Sequence, residues 1–211
     1  MIREFCAENH THVAEAISAG VNRIELCDNL AVGGTTPSPG VIRYICQLAG
    51  QSQVPVMTMI RPRGGHFVYT ADEIQMMLED IAMARECGTT GLVFGALTAE
   101  NHLDKQTMEI LLEACEGLEV TFHMAFDTIP PAEQFEVIDW LSEQGVRRIL
   151  THGGVEGTSI EDNIACLQNL VQYASGKLTI LIGGGVTWEN AQDIVDKTGT
   201  TEVHGTRIYP S

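Results

Sequence analysis

The chain has 211 residues, of which 44% are hydrophobic, and its 28 acidic against 12 basic side chains give a formal net charge of −16. This acidity disfavours nucleic acids and anionic membranes as partners, because both are bound through clusters of positive charge. The length fits a single domain spanning residues 1–211, since α/β barrels often reach this size without dividing.

The sequence predicts a cytoplasmic protein with reduced thiols. The N terminus lacks the basic segment and apolar run of a signal peptide. The longest apolar run, residues 178–182, is far too short to cross a bilayer. None of the six cysteines forms a Cys-x-x-Cys pair, and a chain of this size does not need disulfides for stability.

Eight predicted strands alternate with seven predicted helices. The strands are expected near residues 2–7, 23–28, 55–62, 91–95, 120–127, 148–151, 178–182 and 202–208. The helices are expected at residues 11–19 and 37–48, after Thr70, at residues 104–115, after Pro131, and at residues 160–173 and 188–195. This order predicts a TIM-barrel-like (β/α)8 parallel barrel that lacks its last helix, with a doubly wound open sheet as the alternative.

The missing eighth helix suggests a surface for self-association. A gap between the first and seventh helices would leave the eighth strand partly uncovered and expose an apolar patch. The sequence therefore predicts a homo-oligomer that associates through this gap.

The second predicted strand, residues 23–28, places polar side chains on a face that should be buried. Ile24 and Leu26 fall on one face, and Glu25 and Cys27 fall on the other. A shorter repeat of the same order, Glu4-Phe5-Cys6, occurs in the first strand. Since parallel strands in barrels are buried on both faces, two acids and two thiols should share the interior.

Further polar side chains follow the carboxyl ends of the predicted strands, where barrels form their sites. They are Glu8, Asp28, Arg61, Arg63, His123, Asp127, Thr151, His152, His204 and Thr206. Buried carboxylates need partners, and Arg23, Arg61 and Arg63 are the expected ones. Such a network is either a structural plug of the barrel or the frame of a binding or catalytic site.

Several blocks of this sequence together resemble the CutC family, from the first strand to the last. The blocks are Ile24-Glu25-Leu26-Cys27, Gly33-Gly34-Thr35-Thr36-Pro37-Ser38, Ile60-Arg61-Pro62-Arg63-Gly64-Gly65, Gly91-Leu92-Val93-Phe94-Gly95, Thr121-Phe122-His123, Ala125-Phe126-Asp127 and Glu202-Val203-His204. The chain departs from the family pattern at Met124, where arginine is expected, and at His152, where serine is usual. It also ends before the longer C-terminal segment of many members.

The resemblance implies a TIM-barrel-like fold and a cytoplasmic role in copper homeostasis, with Cu(I) bound at Cys6 and Cys27. Independently of the family, Cu(I) prefers soft thiolate and thioether ligands, and the two cysteines occupy matching places on neighbouring strands. The resemblance therefore makes Cys6 and Cys27 the candidate metal ligands and copper the candidate cofactor.

The alternative is a barrel enzyme that acts on a small anionic or phosphorylated metabolite. Its candidate catalytic residues are Glu25, Arg61, His123 and Asp127, and its candidate ligand-binding residues are Glu8, Arg63, Thr151, Gly183, Gly184 and His204. The glycines after the seventh strand lie where many barrels bind phosphate. The three lysines all lie in or beside helices, which disfavours a Schiff-base aldolase.

Overall fold

The structure, a computed structural model, describes residues 1–155 and 157–210. Eight parallel strands close into one barrel in which every strand pairs with its neighbours in chain order, and β1 pairs with β8. The strands are β1 Ile2–Glu8, β2 Arg23–Cys27, β3 Val56–Met59, β4 Gly91–Phe94, β5 Glu119–Phe122, β6 Arg148–Thr151, β7 Thr179–Ile182 and β8 Glu202–Gly205. The predicted (β/α)8 barrel is confirmed, and the open-sheet alternative is wrong.

Seven α-helices are found in the described residues, one after each of the first seven strands. They are α1 Val13–Ser18, α2 Pro39–Gly50, α3 Ala71–Glu86, α4 Lys105–Ala114, α5 Gln134–Glu143, α6 Ile164–Ala174 and α7 Ala191–Thr198. Ser38, Thr70 and Asp104 cap the starts of α2, α3 and α4 with their side-chain oxygens. None of these helices is both long and apolar enough to cross a membrane.

The third, fifth and eighth strands end earlier than predicted, at Met59, Phe122 and Gly205. The fifth strand stops at Phe122, and Met124–Thr128 forms a 3-10 helix instead. His123 causes this change, because its Nδ1 accepts the Ala125 N–H and turns the chain. On α5, Phe135 is exposed, and the buried residues are Gln134, Val137, Ile138 and Leu141.

The gap left by the absent eighth helix is filled by the segment after β8. Ile208 and Tyr209 are buried, and the Tyr209 ring packs edge-on against Phe5 of β1 with the ring centres 5.3 Å apart. Val203, which points outward from β8, is fully buried. The expected apolar patch is therefore absent from the described residues, and self-association stays a prediction without that surface.

The closed ring leaves little space between β3, β4 and β5, which gives a test of the packing. An alanine Cβ at Gly91 would meet the Met57 methyl and lie 2.5 Å from the Glu119 carbonyl oxygen. We expect Gly91→Ala to lower the free energy of unfolding by roughly 1–3 kcal/mol, because an overpacked core must shift. Urea denaturation would measure the change.

The matched control is Gly50→Ala at the end of α2, where an added Cβ meets nothing within 4 Å. This variant should unfold at the same or a slightly higher urea concentration, because alanine suits a helix better than glycine. Equal stability of the two variants would contradict the tight packing of the ring.

Candidate functional site

Alternate residues of β1, β2 and β8 fill one side of the barrel lumen with polar groups. The strand register places Cys6 beside Glu25, and Glu4 beside His204. These four side chains are buried, as is Cys27. The predicted meeting of two acids and two thiols in a shared interior is confirmed.

An ion-pair network occupies the amino end of the lumen. Arg23 bridges two acids, donating from Nε to Glu4 and from Nη2 to Glu202, the latter at 2.5 Å. Arg148 donates to Glu202 at 3.0 Å and to Glu119 at 2.5 Å. Every buried charge in this chain of contacts has an opposite charge beside it, as burial requires.

His204 lies between this ion-pair network and Glu25. Its Nδ1 lies 2.8 Å from Glu4 Oε1, and its Nε2 lies 3.7 Å from Glu25 Oε2. Burial alone would lower the pKa of His204, but the Glu25 carboxylate and hydrogen bonds to Cys6 and Glu4 raise that pKa well above its usual value. An imidazolium that links two carboxyl groups is therefore the favoured state.

The two acids beside His204 have pKa values that are shifted in opposite directions. Burial would raise the pKa of Glu4, but the Arg23 guanidinium and His204 together lower it to about 2. Burial raises the pKa of Glu25 well above its usual range, because no arginine lies beside it to offset the loss of water. The pKa values of two neighbouring carboxyl groups are thus shifted in opposite directions, because Glu4 has an arginine beside it and Glu25 is buried.

Both lumen thiols converge on one oxygen of Glu25. The Sγ atoms of Cys6 and Cys27 lie 3.3 Å and 3.5 Å from Glu25 Oε2. Their mutual hydrogen bond lowers the pKa of Cys6 well below its usual range and raises that of Cys27 well above it. One donor atom from each of these three residues falls within a 4.8 Å group, which is small enough to hold a single metal ion.

The surroundings of the thiols are rich in sulfur. Cys6, Cys27, Met57, Met59 and Val93 pack as a cluster of their own inside the ring, with Leu30 against it. Thioether sulfur is soft and polarisable, so this cluster suits a soft metal better than a hard one.

A cavity of about 170 Å³ opens beside the thiols. Its walls are formed by Cys6, Glu25, Leu30, Gly33, Met59, Phe67, His123, Met124, Leu150 and His204. Phe67 and Met124 also line an outer cavity of about 440 Å³, together with Asp127, His152 and Gly184. The lumen site therefore lies behind a wider outer cavity at the carboxyl ends of the strands.

The expected role of Arg61 and Arg63 as partners of the lumen acids is wrong. Arg61 donates to the backbone carbonyls of Val32, Gly34 and Gly65 at 2.7–3.0 Å. Arg63 pairs with Glu73 of α3, outside the lumen. Both guanidiniums are used to fix loops, because loop carbonyls need donors where water is excluded.

His123 and Asp127, both candidate catalytic residues, have separate hydrogen-bond partners in the structure. Asp127 accepts hydrogen bonds from Thr151 Oγ1, and from the His152 and Gly153 N–H groups at 2.9 Å and 3.2 Å. Thr151 lies on the outer side of β6, and its hydrogen bond to Asp127 helps to fix the turn after the strand. Asp127 and Thr151 are loop-positioning residues in this geometry.

The remaining predicted ligand contacts lie at the rim. Glu8 is exposed and accepts the Leu30 N–H at 3.0 Å. The Gly183 N–H donates to the Thr151 carbonyl at 3.0 Å, so it is not free to bind phosphate. Helix α7 begins only at Ala191, so its N terminus does not lie directly after the glycines at residues 183–185 and does not complete a phosphate site with them.

Sequence reasoning missed three members of the lumen network, Glu119, Arg148 and Glu202. A signal was present, since each begins a strand and falls in the inward alternation. Leu30 and Phe67 were also missed, because they reach the cavity from loops whose course no periodicity encodes.

Comparisons with known proteins agree with this architecture. A sequence model described as the CutC family matches residues 1–209. The chain is 55% identical over 208 residues to a family protein named CutC from Enterococcus faecalis, which covers 99% of this chain and all of that relative. It is 39% identical over 203 residues to the human copper homeostasis protein cutC homolog, covering 96% of this chain and 72% of that relative.

Solved structures give the same result for the fold. A crystal structure named for CutC from Streptococcus agalactiae superposes with a TM-score of 0.96 at 50% identity, covering 99% of both chains. The deoxyribose phosphate aldolase of Aeropyrum pernix superposes with a TM-score of 0.70 at 14% identity, covering 97% of this chain and 84% of that one. At that identity the second likeness shows a shared barrel fold alone.

The low pKa of Glu4 predicts a pH-dependent contribution to stability. The folded pKa of about 2 lies below the ordinary 4.5, so ionised Glu4 stabilises the fold fully above about pH 4.5, and this is lost as pH falls toward 2. We expect Glu4→Gln to lower the free energy of unfolding at pH 7 by roughly 3 kcal/mol, and the difference to vanish near pH 2. Urea denaturation across this pH range would measure both.

Glu143→Gln on the exposed face of α5 is the control and should unfold like the parent at each pH. A Glu4→Gln deficit that stays constant from pH 7 to pH 2 would show that ionisation of Glu4 is not its cause.

Proposed function

The chain belongs to the CutC family, and we propose that it binds one Cu(I) ion between Cys6 and Cys27 for copper trafficking or tolerance in the cytoplasm. The observation that carries this proposal is the convergence of both thiols on Glu25 Oε2, at 3.3 Å and 3.5 Å. Thiols from neighbouring strands that already share one hydrogen-bond partner can share a metal ion with little movement.

The chemistry of the donors favours Cu(I) over the common hard cations. Two thiolates are a sufficient set for Cu(I), and Met57 and Met59 surround them with thioether sulfur. Mg²⁺ and Ca²⁺ prefer several oxygen ligands, whereas the group of Cys6, Glu25 and Cys27 in the described residues offers one carboxylate and two thiols. A second group, Glu4, Glu25 and His204, has two carboxylates, but Glu4 is already paired with Arg23.

The lumen also offers positive charge to balance the thiolates. Loss of two thiol protons to bind one Cu(I) leaves a net negative charge of one at the site. The imidazolium of His204, bonded to Glu4, is a cation of this network that lies beside Cys6. This neighbour supports a thiolate at Cys6, since an adjacent cation favours the charged form.

A role in copper trafficking is also compatible with the proposed location in the cytoplasm. Reduced thiols and Cu(I) are both maintained in a reducing cytosol, and the human relative carries the name copper homeostasis protein. The lumen position of the cysteines would protect bound Cu(I) from water and oxidants.

An enzyme for anionic or phosphorylated metabolites has weaker support. Arg61 and Arg63, its proposed anion ligands, already donate to loop carbonyls and to Glu73. An anion entering the inner cavity would meet Glu25, and none of the described residues that line this cavity is an arginine or a lysine.

Anaerobic Cu(I) titration against a competing chelator tests the copper proposal. We expect the parent to bind one ion, and Cys6→Ser and Cys27→Ser each to weaken its affinity by more than about 100-fold. The reason is that even residues that only support metal ligands are worth about 10- to 100-fold. X-ray absorption of the loaded parent should show sulfur as the ligand atom.

Cys166→Ser is the matched control, because Cys166 lies exposed on α6 far from the lumen thiols in the fold. This variant should bind copper as the parent does. If both lumen variants retain the parent's affinity and stoichiometry, Cys6 and Cys27 are not the site.

A further inference from the structure

Among the buried polar atoms of the described residues that have no hydrogen-bond partner, two belong to side chains that line the inner cavity, namely Glu25 Oε1 and His123 Nε2. Buried polar atoms in folded proteins almost always have one, so each exception needs a cause such as a bound molecule. Copper bound by the two thiols would not give His123 Nε2 a partner, because His123 is not among the residues grouped around the sulfurs.

The hydrogen-bonding state of His123 follows from its surroundings. Its Nδ1 accepts the Ala125 backbone N–H at 3.3 Å, so the proton of the neutral ring lies on Nε2. Burial, with the nearby Arg61, lowers the pKa of His123 to about 3, which keeps the ring neutral. His123 therefore offers an N–H donor that no protein group accepts.

Both side chains line the cavity of about 170 Å³. An engineered cavity of about 150 Å³ holds benzene, so this volume suits an organic molecule of about six non-hydrogen atoms. Leu30, Met59 and Leu150 contribute apolar wall, and His123 and Glu25 contribute isolated polar groups. A mostly apolar pocket with a few placed polar groups is typical of small-molecule sites.

The charges around the cavity favour an uncharged molecule. His204 is already bonded to Glu4 and faces Glu25. The terminal nitrogens of Arg61 are engaged by backbone carbonyls. An anion would therefore find no free cation among the described lining residues. A cation would lose its water shell, and the apolar walls would not replace those contacts.

We infer that the lumen cavity binds a small uncharged hydroxycarbonyl compound, whose carbonyl oxygen accepts the His123 Nε2–H and whose hydroxyl bonds to Glu25 Oε1. A hydroxyl group suits Glu25 because it can donate to a carboxylate or accept from a carboxylic acid. This inference does not require the copper proposal to be correct, since its defining donor is His123 and not a thiol.

Phe67 and Met124 separate this cavity from the outer one. The Phe67 ring lies between Arg61 and His123, 4.8 Å from the guanidinium carbon and 4.7 Å from the imidazole centre. Since Phe67 and Met124 line both cavities, the ligand passes these two side chains on its way to His123.

Ligand-observed NMR titration with hydroxyacetone as the probe tests the inference on the parent protein. Glycerol has the hydroxyls without the carbonyl, and pyruvate is a carbonyl compound with a charge. We expect both to bind at least about tenfold more weakly than hydroxyacetone. Pyruvate would bring its carboxylate into a cavity without an arginine or lysine among the described lining residues, and glycerol would have to remove an additional hydroxyl from water against apolar walls. Equal binding of the three compounds, or no binding of hydroxyacetone, would overturn the assignment.

Variants of His123 locate the contact. His123→Leu removes the donor and should weaken hydroxyacetone at least about tenfold, whereas His123→Gln retains an N–H and should stay within about threefold of the parent. His10→Leu, in the exposed turn after β1, is the control and should bind as the parent does. Unchanged affinity in a folded His123→Leu would refute the role of His123.

The same variants separate this site from the copper proposal. His123→Leu should lose hydroxyacetone and retain Cu(I) affinity in the chelator competition. Loss of both ligands together with a lowered unfolding temperature would report misfolding of that variant, and the three-compound comparison on the parent would then decide.

Discussion

The bridge that Arg23 makes between Glu4 and Glu202 is the interaction on which the lumen depends. It ties β1, β2 and β8 together where the ring closes, and it keeps Glu4 ionised. Ionised Glu4 holds His204, and His204 faces the carboxyl group on which both thiols converge. Because an unpaired buried charge is costly, loss of this one guanidinium would disturb each later contact.

Ring closure also depends on the chain end, which packs in the place of a helix. Tyr209 packs on Phe5, and Ile208 is fully buried beside the last strand. Two apolar side chains thus cover β1 and β8 at their junction. The ion-pair network inside the barrel and the apolar contacts outside it therefore stabilise the same junction, that between β1 and β8.

The sequence allowed prediction of the parts of this molecule that follow a local rule. Strand alternation predicted the inward positions of Glu25 and Cys27, and the capping residues Thr70 and Asp104 predicted the starts of α3 and α4. The contacts of Arg61 could not be predicted, because its partners are loop carbonyls whose positions depend on the folded backbone. The contacts of Asp127 could not be predicted for the same reason, since its partners include backbone N–H groups in the turn after β6.

Glu25 takes part in both proposed sites, with Oε2 toward the thiols and Oε1 toward the cavity. A carboxyl group that changes its contacts for one ligand alters what it offers the other. Thermodynamic linkage then makes the effect mutual, so metal occupancy and metabolite occupancy would antagonise or reinforce each other by the same factor. A barrel of this kind would report on copper supply and carbonyl supply at once, through a single shared side chain.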